Sequence, residues 1–255
     1  MPITRIITHA EPGQPQAGES ALALAAALGA RLEALVFAAE VMGEGPEPDE
    51  EAALRDLAAR AAARGVAYNA HGRRSLAEGL GSELAARLRL GGLGVLDWAA
   101  PVMAGHRMMA TAMIFGSGRP VILAPPGSLA GLPGRVLVGW DDSPAAARAI
   151  NAALPLLRQA EDVLVVCAAS PGKEEHDPVP VAEALREQAV KARGEVVRRD
   201  GRSVLATLRG AALGHGAGLL VAGAARHAPV HDMLYGSLTH DVMAGQAGMP
   251  VMLMA

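Results

Sequence analysis

Short runs of aliphatic and β-branched residues alternate along this chain with longer stretches in which apolar residues return every three or four positions. That is the signature of strands alternating with amphipathic helices. In the first half, RIITH is followed by the helical pattern ESALALAAAL, and LEALVFAA by DEEAALRDLAARAAARG. A short extended piece at Val66 to Ala70 leads into SLAEGLGSELAARLRL; GVLDW, a Met-rich segment and PVILA complete the half. Local chemistry supports these limits. Ser75 to Glu78 has the form of a capping box, in which hydroxyl and carboxylate each satisfy a backbone N–H at a helix start. Gly65 and Gly91 stand where helices end.

The second half repeats the order. RVLVGW precedes SPAAARAINAALPLL, VLVVCAA precedes the helical VAEALREQAVKARG, and VVRR precedes SVLATLRGAALG; GLLVAG, a segment ending in a helix, and PVMLMA close it. Ser143 followed by Pro144 is an N-cap and first-turn pair. Arg5-Ile-Ile-Thr aligns with Arg135-Val-Leu-Val at an offset of 130, and Pro120-Val-Ile-Leu with Pro250-Val-Met-Leu at the same offset, so the chain reads as an internal duplication. PPGSLAGLPG, Pro125 to Gly134, is too rich in Pro and Gly for helix or strand and marks the joint between domains expected at 1–126 and 134–255. The predicted fold is α/β: two doubly wound, Rossmann-like, five-stranded parallel sheets with right-handed crossovers. Ligands of such sheets bind beyond the carboxyl ends of the strands, where the strand order reverses, so chemistry is sought after strands one and four of each half.

At 255 residues the chain is long for one compact domain and comfortable for two. A formal net charge of −3 supplies no basic footprint for nucleic acid. Arg31 and Glu33 interrupt the most apolar region, and no stretch reaches the roughly 20 apolar residues of a membrane span. Neither nucleic acid nor membrane is an expected partner. The sole cysteine, Cys167, can form no internal disulfide and lies within apolar VLVVCAA, where an inert buried thiol is expected. The opening MPITRIITHA lacks the charged head and long apolar core of a secretory signal, so a reducing cytoplasm is the expected location. Aromatic residues make up 2%, which leaves Leu, Val, Ile, Met and Ala to fill the core and few rings to stack on a base.

Two loops of the second half carry the candidate chemistry. After its first strand comes Trp140-Asp141-Asp142-Ser143-Pro144. A carboxylate at a strand's end can accept from ribose hydroxyls, and a Ser at the following N-cap leaves helix amides directed into the crevice. The plainer reading is that Asp142 or Ser143 only caps the helix. After the fourth strand comes GAARHAPVHDMLYGS, Gly223 to Ser237. Gly223 allows a tight turn or close approach to a ligand, and Gly236-Ser237 at the head of LTHDVMAG offers amides and a hydroxyl to phosphate oxygens.

Together VLVGWDDSPAAARAI, GAARHAPVHDMLYGS and MPVMLMA resemble the universal stress protein domain. Nucleotide-binding members of that family carry Gly, two residues, Gly, nine residues, then Gly and Ser or Thr, with an Asp ending strand one. Gly223, Gly236 and Ser237 match at the right spacing, and Arg226 replaces the second Gly. The resemblance implies ATP, AMP or ADP binding, with Mg only as the nucleotide's companion. It places Asp141 on the ribose, Gly223, Gly236, Ser237 and Thr239 on the phosphates, and Ala168 beside the adenine; Ser143 and Arg226 complete the expected site. Two readings stand for Arg226: a bidentate phosphate contact, or a solvated arginine on an altered loop. The resemblance also implies a homodimer, or a pairing of the two domains within the chain, through the last strands PVILA and PVMLMA. The alternative function is a nucleotide-free interaction module of the same fold.

The first half departs from the pattern. Glu11 stands at the position of Asp141, and pairing Gly94 with Gly218 at an offset of 124 makes the loop after strand four six residues shorter than its counterpart. Gly116-Ser117 then reads as a turn into the last strand, and the first domain is expected to be degenerate. Other chemistry is weaker. His227 and His231 are four apart, but Pro229 between them opposes a helical turn, and no metal is assigned. His9, His71, His106 and His176 are expected to be solvated or locally bonded, His215 to be a cap or surface residue, and Met108 to Met113 to be helix-core filler. Ser143 lacks a nucleophile elbow, no catalytic residue is named, and at most slow ATP hydrolysis is expected.

Overall fold

The computed structural model describes residues 2–14, 16–37, 49–72, 77–170, 176–225 and 238–255. It divides into two units, Met1–Gly131 and Leu132–Ala255. In the first, strands β1 (Arg5–Ala10), β2 (Arg31–Val36), β3 (Tyr68–Gly72), β4 (Leu93–Asp97) and β5 (Val121–Ala124) alternate with helices α1 (Glu19–Leu28), α2 (Glu50–Ala63), α3 (Ala77–Arg89) and α4 (Ala104–Gly116). In the second, β6 (Arg135–Gly139), β7 (Asp162–Ala169), β8 (Ala192–Arg198), β9 (Leu219–Gly223) and β10 (Val251–Met254) alternate with α5 (Pro144–Leu157), α6 (Val179–Glu187), α7 (Val204–His215) and α8 (Leu238–Met243). The proposed capping box at Ser75 to Glu78 lies outside the described residues and side chains.

Each unit is a parallel sheet. The first runs β3-β2-β1-β4-β5 and the second β8-β7-β6-β9-β10, so the order reverses between β1 and β4 and between β6 and β9. The expected doubly wound topology is the observed one in both units. The strands are nearly continuous aliphatic runs because both faces are covered: Val163 to Cys167 of β7 are all buried, as are Ile6 to Ala10 of β1. Glu33 is the exception within β2. It stays buried because Arg87 from α3 pairs with it directly and Arg5 of β1 approaches to 3.7 Å. Cys167 is buried and in no disulfide, and Met109 and Met113 pack in the core, whereas Met108 is half-exposed.

The pattern VAEALREQAVKARG, expected to be one helix, is divided. α6 ends at Glu187, Ala189 adopts φ +63°, the Val190 N–H returns to the Leu185 carbonyl, and Ala192 already begins β8. The left-handed residue and the 6→1 bond form a Schellman-type stop without glycine. Periodicity alone does not reveal it, since Ala and Val fit a helix continuation. His215 is corrected likewise: it is buried at the end of α7, its Nδ1 facing Asp162 at 3.8 Å and Arg193 at 3.4 Å.

Gly194 is fixed by contact. A Cβ there would lie 2.8 Å from the Pro178 carbonyl carbon and the Val179 nitrogen at the start of α6. Gly194→Ala is therefore expected to lower stability by about 1–3 kcal/mol through forced displacement of α6, seen as a lower urea midpoint with an unchanged slope.

Candidate functional site

In the second unit the carboxyl ends of β6 and β9 border the switch point. β6 gives way to α5 in four residues, Trp140 to Ser143. The Asp141 carboxylate accepts from the Ser143 N–H at 3.1 Å, Asp142 takes φ +58°, and the Ser143 hydroxyl accepts from the Ala146 N–H at 3.1 Å. An Asx turn followed by a side-chain N-cap thus brings α5 up sharply from the strand. Asp141 and Asp142 remain exposed, with His176 at 3.8 Å from Asp142.

Gly223 ends β9 directly beside this helix start. A Cβ at Gly223 would fall 2.5 Å from the Ala146 nitrogen, 2.8 Å from the Ala145 carbonyl carbon and 3.0 Å from the Ala145 Cβ. It has no positive φ, so the glycine serves close helix–strand approach rather than a turn. The amide end of α5 therefore stands at the sheet's carboxyl edge, between β6 and β9, with the favourable field of a helix N-terminus.

Past Gly223 the chain is tied from α8: the buried Thr239 hydroxyl accepts from the Ala225 N–H at 3.1 Å. Arg226, Gly236 and Ser237 lie outside the described residues, as do His227, Pro229 and His231. Ala168 is partly exposed near the carboxyl end of β7, where it pairs with Val197. The described part of the expected site thus brings Asp141, Ser143 and Gly223 to one edge. The Ser143 and Thr239 hydroxyls each accept from a backbone N–H and keep their own O–H to donate.

The first unit differs in a way that changes the repeat alignment. Ile6 of β1 pairs with Leu93, as Val136 of β6 pairs with Leu219. Leu93 is therefore the counterpart of Leu219, and the offset is 126 rather than the 124 obtained by matching Gly94 with Gly218. The connection to the last strand is four residues shorter, not six. Matching glycines misled because Gly94 answers a local need: its Cβ would meet the Met113 methyl at 2.8 Å. In the corrected register Asp97 occupies the place of Gly223.

The Asp97 Oδ2 accepts from the Gly18 N–H at 2.7 Å, at the head of α1. Burial pushes its carboxyl up; the N–H groups of Gly18 and Ser20 and the nearby Ser20 hydroxyl pull the other way. That hydroxyl lies beside the carboxylate without completing a well-directed bond to Oδ1. Glu11, at the Asp141 position, lies 3.3 Å from His106 of α4 and accepts from Gln14 at 2.6 Å. The His106 hydrogen bond holds the Glu11 carboxyl below its ordinary range against the opposing effect of burial. His9 is buried behind them, 5.6 Å centroid to centroid from Phe37 and 5.9 Å from His106, with Nε2 3.3 Å from the Phe37 carbonyl oxygen. His9 and His106 thus take the locally bonded alternative, and they stand beside each other. Residues 9, 37 and 106 meet only through the crossover topology, whereas Asp97 was accessible by aligning the repeats on their aliphatic strand positions. Ser117 caps α4 and its hydroxyl accepts from the Arg119 N–H at 3.0 Å, the expected turn into β5.

Among the described residues no helix is long and apolar enough to cross a membrane, and no group of three His, Cys, Asp or Glu could hold a metal ion.

No protein-family model and no curated protein matches the chain. Among solved structures, a universal stress protein from Archaeoglobus fulgidus DSM 4304 is similar over 97% of this chain and 95% of its own, with a TM-score of 0.68 and 13% identity. A Pseudomonas aeruginosa UCBPP-PA14 protein of universal stress protein type is similar over 99% and 93%, with a TM-score of 0.62 and 17% identity. The chain therefore has the universal stress protein fold, written twice.

Burial holds His9 down to about 4, from 6.5, with His106 adding to the depression. Between these values the unfolded chain takes up a proton that the folded one refuses. The contribution of His9 is complete above pH 6.5 and is lost as pH falls toward 4. At pH 4.5 the loss relative to pH 7 is expected to be about 2–3 kcal/mol. Urea unfolding of the parent and of His9→Phe at both pH values checks this: the pH-dependent loss should shrink by that amount in the variant.

Proposed function

We propose that this chain is a tandem universal stress protein whose second unit binds ATP or a related adenine nucleotide, acting in stress response or signalling in the cytoplasm. The observation that carries the reading is the switch point of that unit: Gly223 admits the amide end of α5 to within 2.5 Å of where a Cβ would stand, beside the exposed carboxylate of Asp141. A helix N-terminus favours phosphate, and an acidic side chain at the adjoining strand end suits ribose hydroxyls. Ala168 offers a small, partly exposed surface for the base. The sequence adds Gly236 and Ser237 at the family spacing, with Arg226 as a further phosphate contact, Thr239 tied to the Ala225 N–H, and Mg entering only with the nucleotide. Dimerisation, or pairing of the domains within the chain, through the last strands belongs to the same proposal.

One observation favours the nucleotide-free interaction module instead. Arg226 stands where the family pattern has its second Gly, and a side chain there can obstruct phosphate; the Ser143 and Thr239 hydroxyls accept from backbone N–H groups but keep their own O–H to donate. The sequence names no water-activating residue, and hydrolysis is expected to be slow at most.

Titration of purified protein with ATP by calorimetry separates the readings. Binding by the parent and a loss of at least about tenfold in Asp141→Ala, equivalent to about 1.4 kcal/mol, is the expected outcome. Absence of both co-purified nucleotide and measurable binding in the parent would leave the interaction module. Arg226→Ala should weaken binding if the guanidinium meets phosphate and tighten it if the side chain obstructs.

A further inference from the structure

The two units share a topology, and one strand position at the switch point differs in kind. Where β9 ends in Gly223, the register of β4 places Asp97. A side chain at that position points at the first turn of the unit's first helix: in the second unit even a Cβ would strike the Ala145–Ala146 backbone. In the first unit there is room, because β1 and α1 are joined by eight residues, Glu11 to Gly18, instead of four. Gly18, the N-cap of α1, has φ +74° and no side chain to cap with. The acceptor comes from across the sheet, as the Asp97 carboxylate on the Gly18 N–H at 2.7 Å.

The position facing ligand from strand one is also satisfied internally. Asp141 is exposed in the second unit, whereas Glu11 is partly buried and engaged by His106 and Gln14. Both polar positions of the first crevice thus have intramolecular partners. The helix N-terminus has a carboxylate where a bound anion would stand, and a second anion brought there would meet Asp97 directly and Glu19 beside it.

We propose that Asp97 is a built-in occupant of the first unit's ligand crevice: its carboxylate takes the place of an anionic ligand group at the head of α1 and closes that unit to nucleotide. The consequence that each chain binds a single nucleotide rests on the reading of the second unit given above. The closure itself does not.

The test uses the full chain in two arms. Thermal unfolding of the parent and of Asp97→Gly is followed as inorganic phosphate replaces chloride at constant ionic strength. The variant should unfold at a lower temperature than the parent, and phosphate at about ten times its Kd should restore about 3 °C in the variant beyond any rise in the parent. An equal response in both proteins overturns the proposal. If Asp97→Gly does not fold, Asp97→Ser, which is smaller than the parent residue and uncharged, is read by the same two outcomes. Equilibrium dialysis of the parent against ATP supplies the second arm, and two nucleotides per chain would also overturn the closure. A parent that binds no ATP, together with phosphate rescue confined to the variant, would refute the nucleotide reading and leave Asp97 as the occupant.

Discussion

The close approach of α5 to the end of β9 governs the second unit's functional edge. A parallel sheet in the order β8-β7-β6-β9-β10 leaves a gap above its reversal point, and the helix after the central strand must start beside that gap. Here it starts within four residues, so the backbone turns hard. The Asp141 carboxylate satisfies the Ser143 N–H, Asp142 goes left-handed, and Ser143 caps α5. Left-handed geometry is tolerable at Asp142 because a short polar side chain costs less there than a branched one. None of this works with a side chain at residue 223. A single missing Cβ thus allows the helix amides to stand at the sheet edge, where an anion gains most from them.

Parallel pairing made the fold readable before any coordinates, because buried strands are continuous aliphatic runs and the intervening helices carry a 3.6-residue period. The duplication was visible for the same reason: β1 with β6, and β5 with β10, keep the same offset. What periodicity could not give was any feature dependent on a contact distant in sequence. The end of α6 rests on a left-handed alanine, and the burial of His215 on Asp162 and Arg193 across the sheet. The offset between β4 and β9 was misread because glycine is a poor marker of equivalence. Gly94 and Gly223 are glycines for separate local reasons, one facing the Met113 methyl and the other the α5 backbone.

The candidate site was partly legible on the same terms. Asp141, Ser143 and Gly223 meet at the expected edge, since topology alone dictates which loops converge there. The individual roles were less accessible. Gly223, expected at a turn or a ligand approach, lets α5 close on the strand end without a left-handed φ, and the Thr239 hydroxyl, expected on phosphate, also accepts from the Ala225 N–H. A hydroxyl's partner depends on distances of a few tenths of an ångström, which spacing in a sequence does not encode.

Duplication placed the same electrostatic demand on both units, and the sequences meet it by different means. A helix head at a sheet edge favours negative charge, whether the charge belongs to the chain or arrives with a ligand. In the first unit the longer β1–α1 connection draws the helix start back far enough to admit Asp97, and desolvation of that carboxyl is offset by the Gly18 and Ser20 donors. Once the carboxylate is in place, an exposed acid at the Glu11 position would have no ligand to serve, and there Glu11 pairs with His106, over a His9 too buried to charge readily. The polar groups of that edge thus contribute to holding β1, α1 and α4 together. In the second unit the strand ends without a side chain, and the α5 head is met instead by Asp141, whose carboxylate accepts from the Ser143 N–H while remaining exposed to solvent.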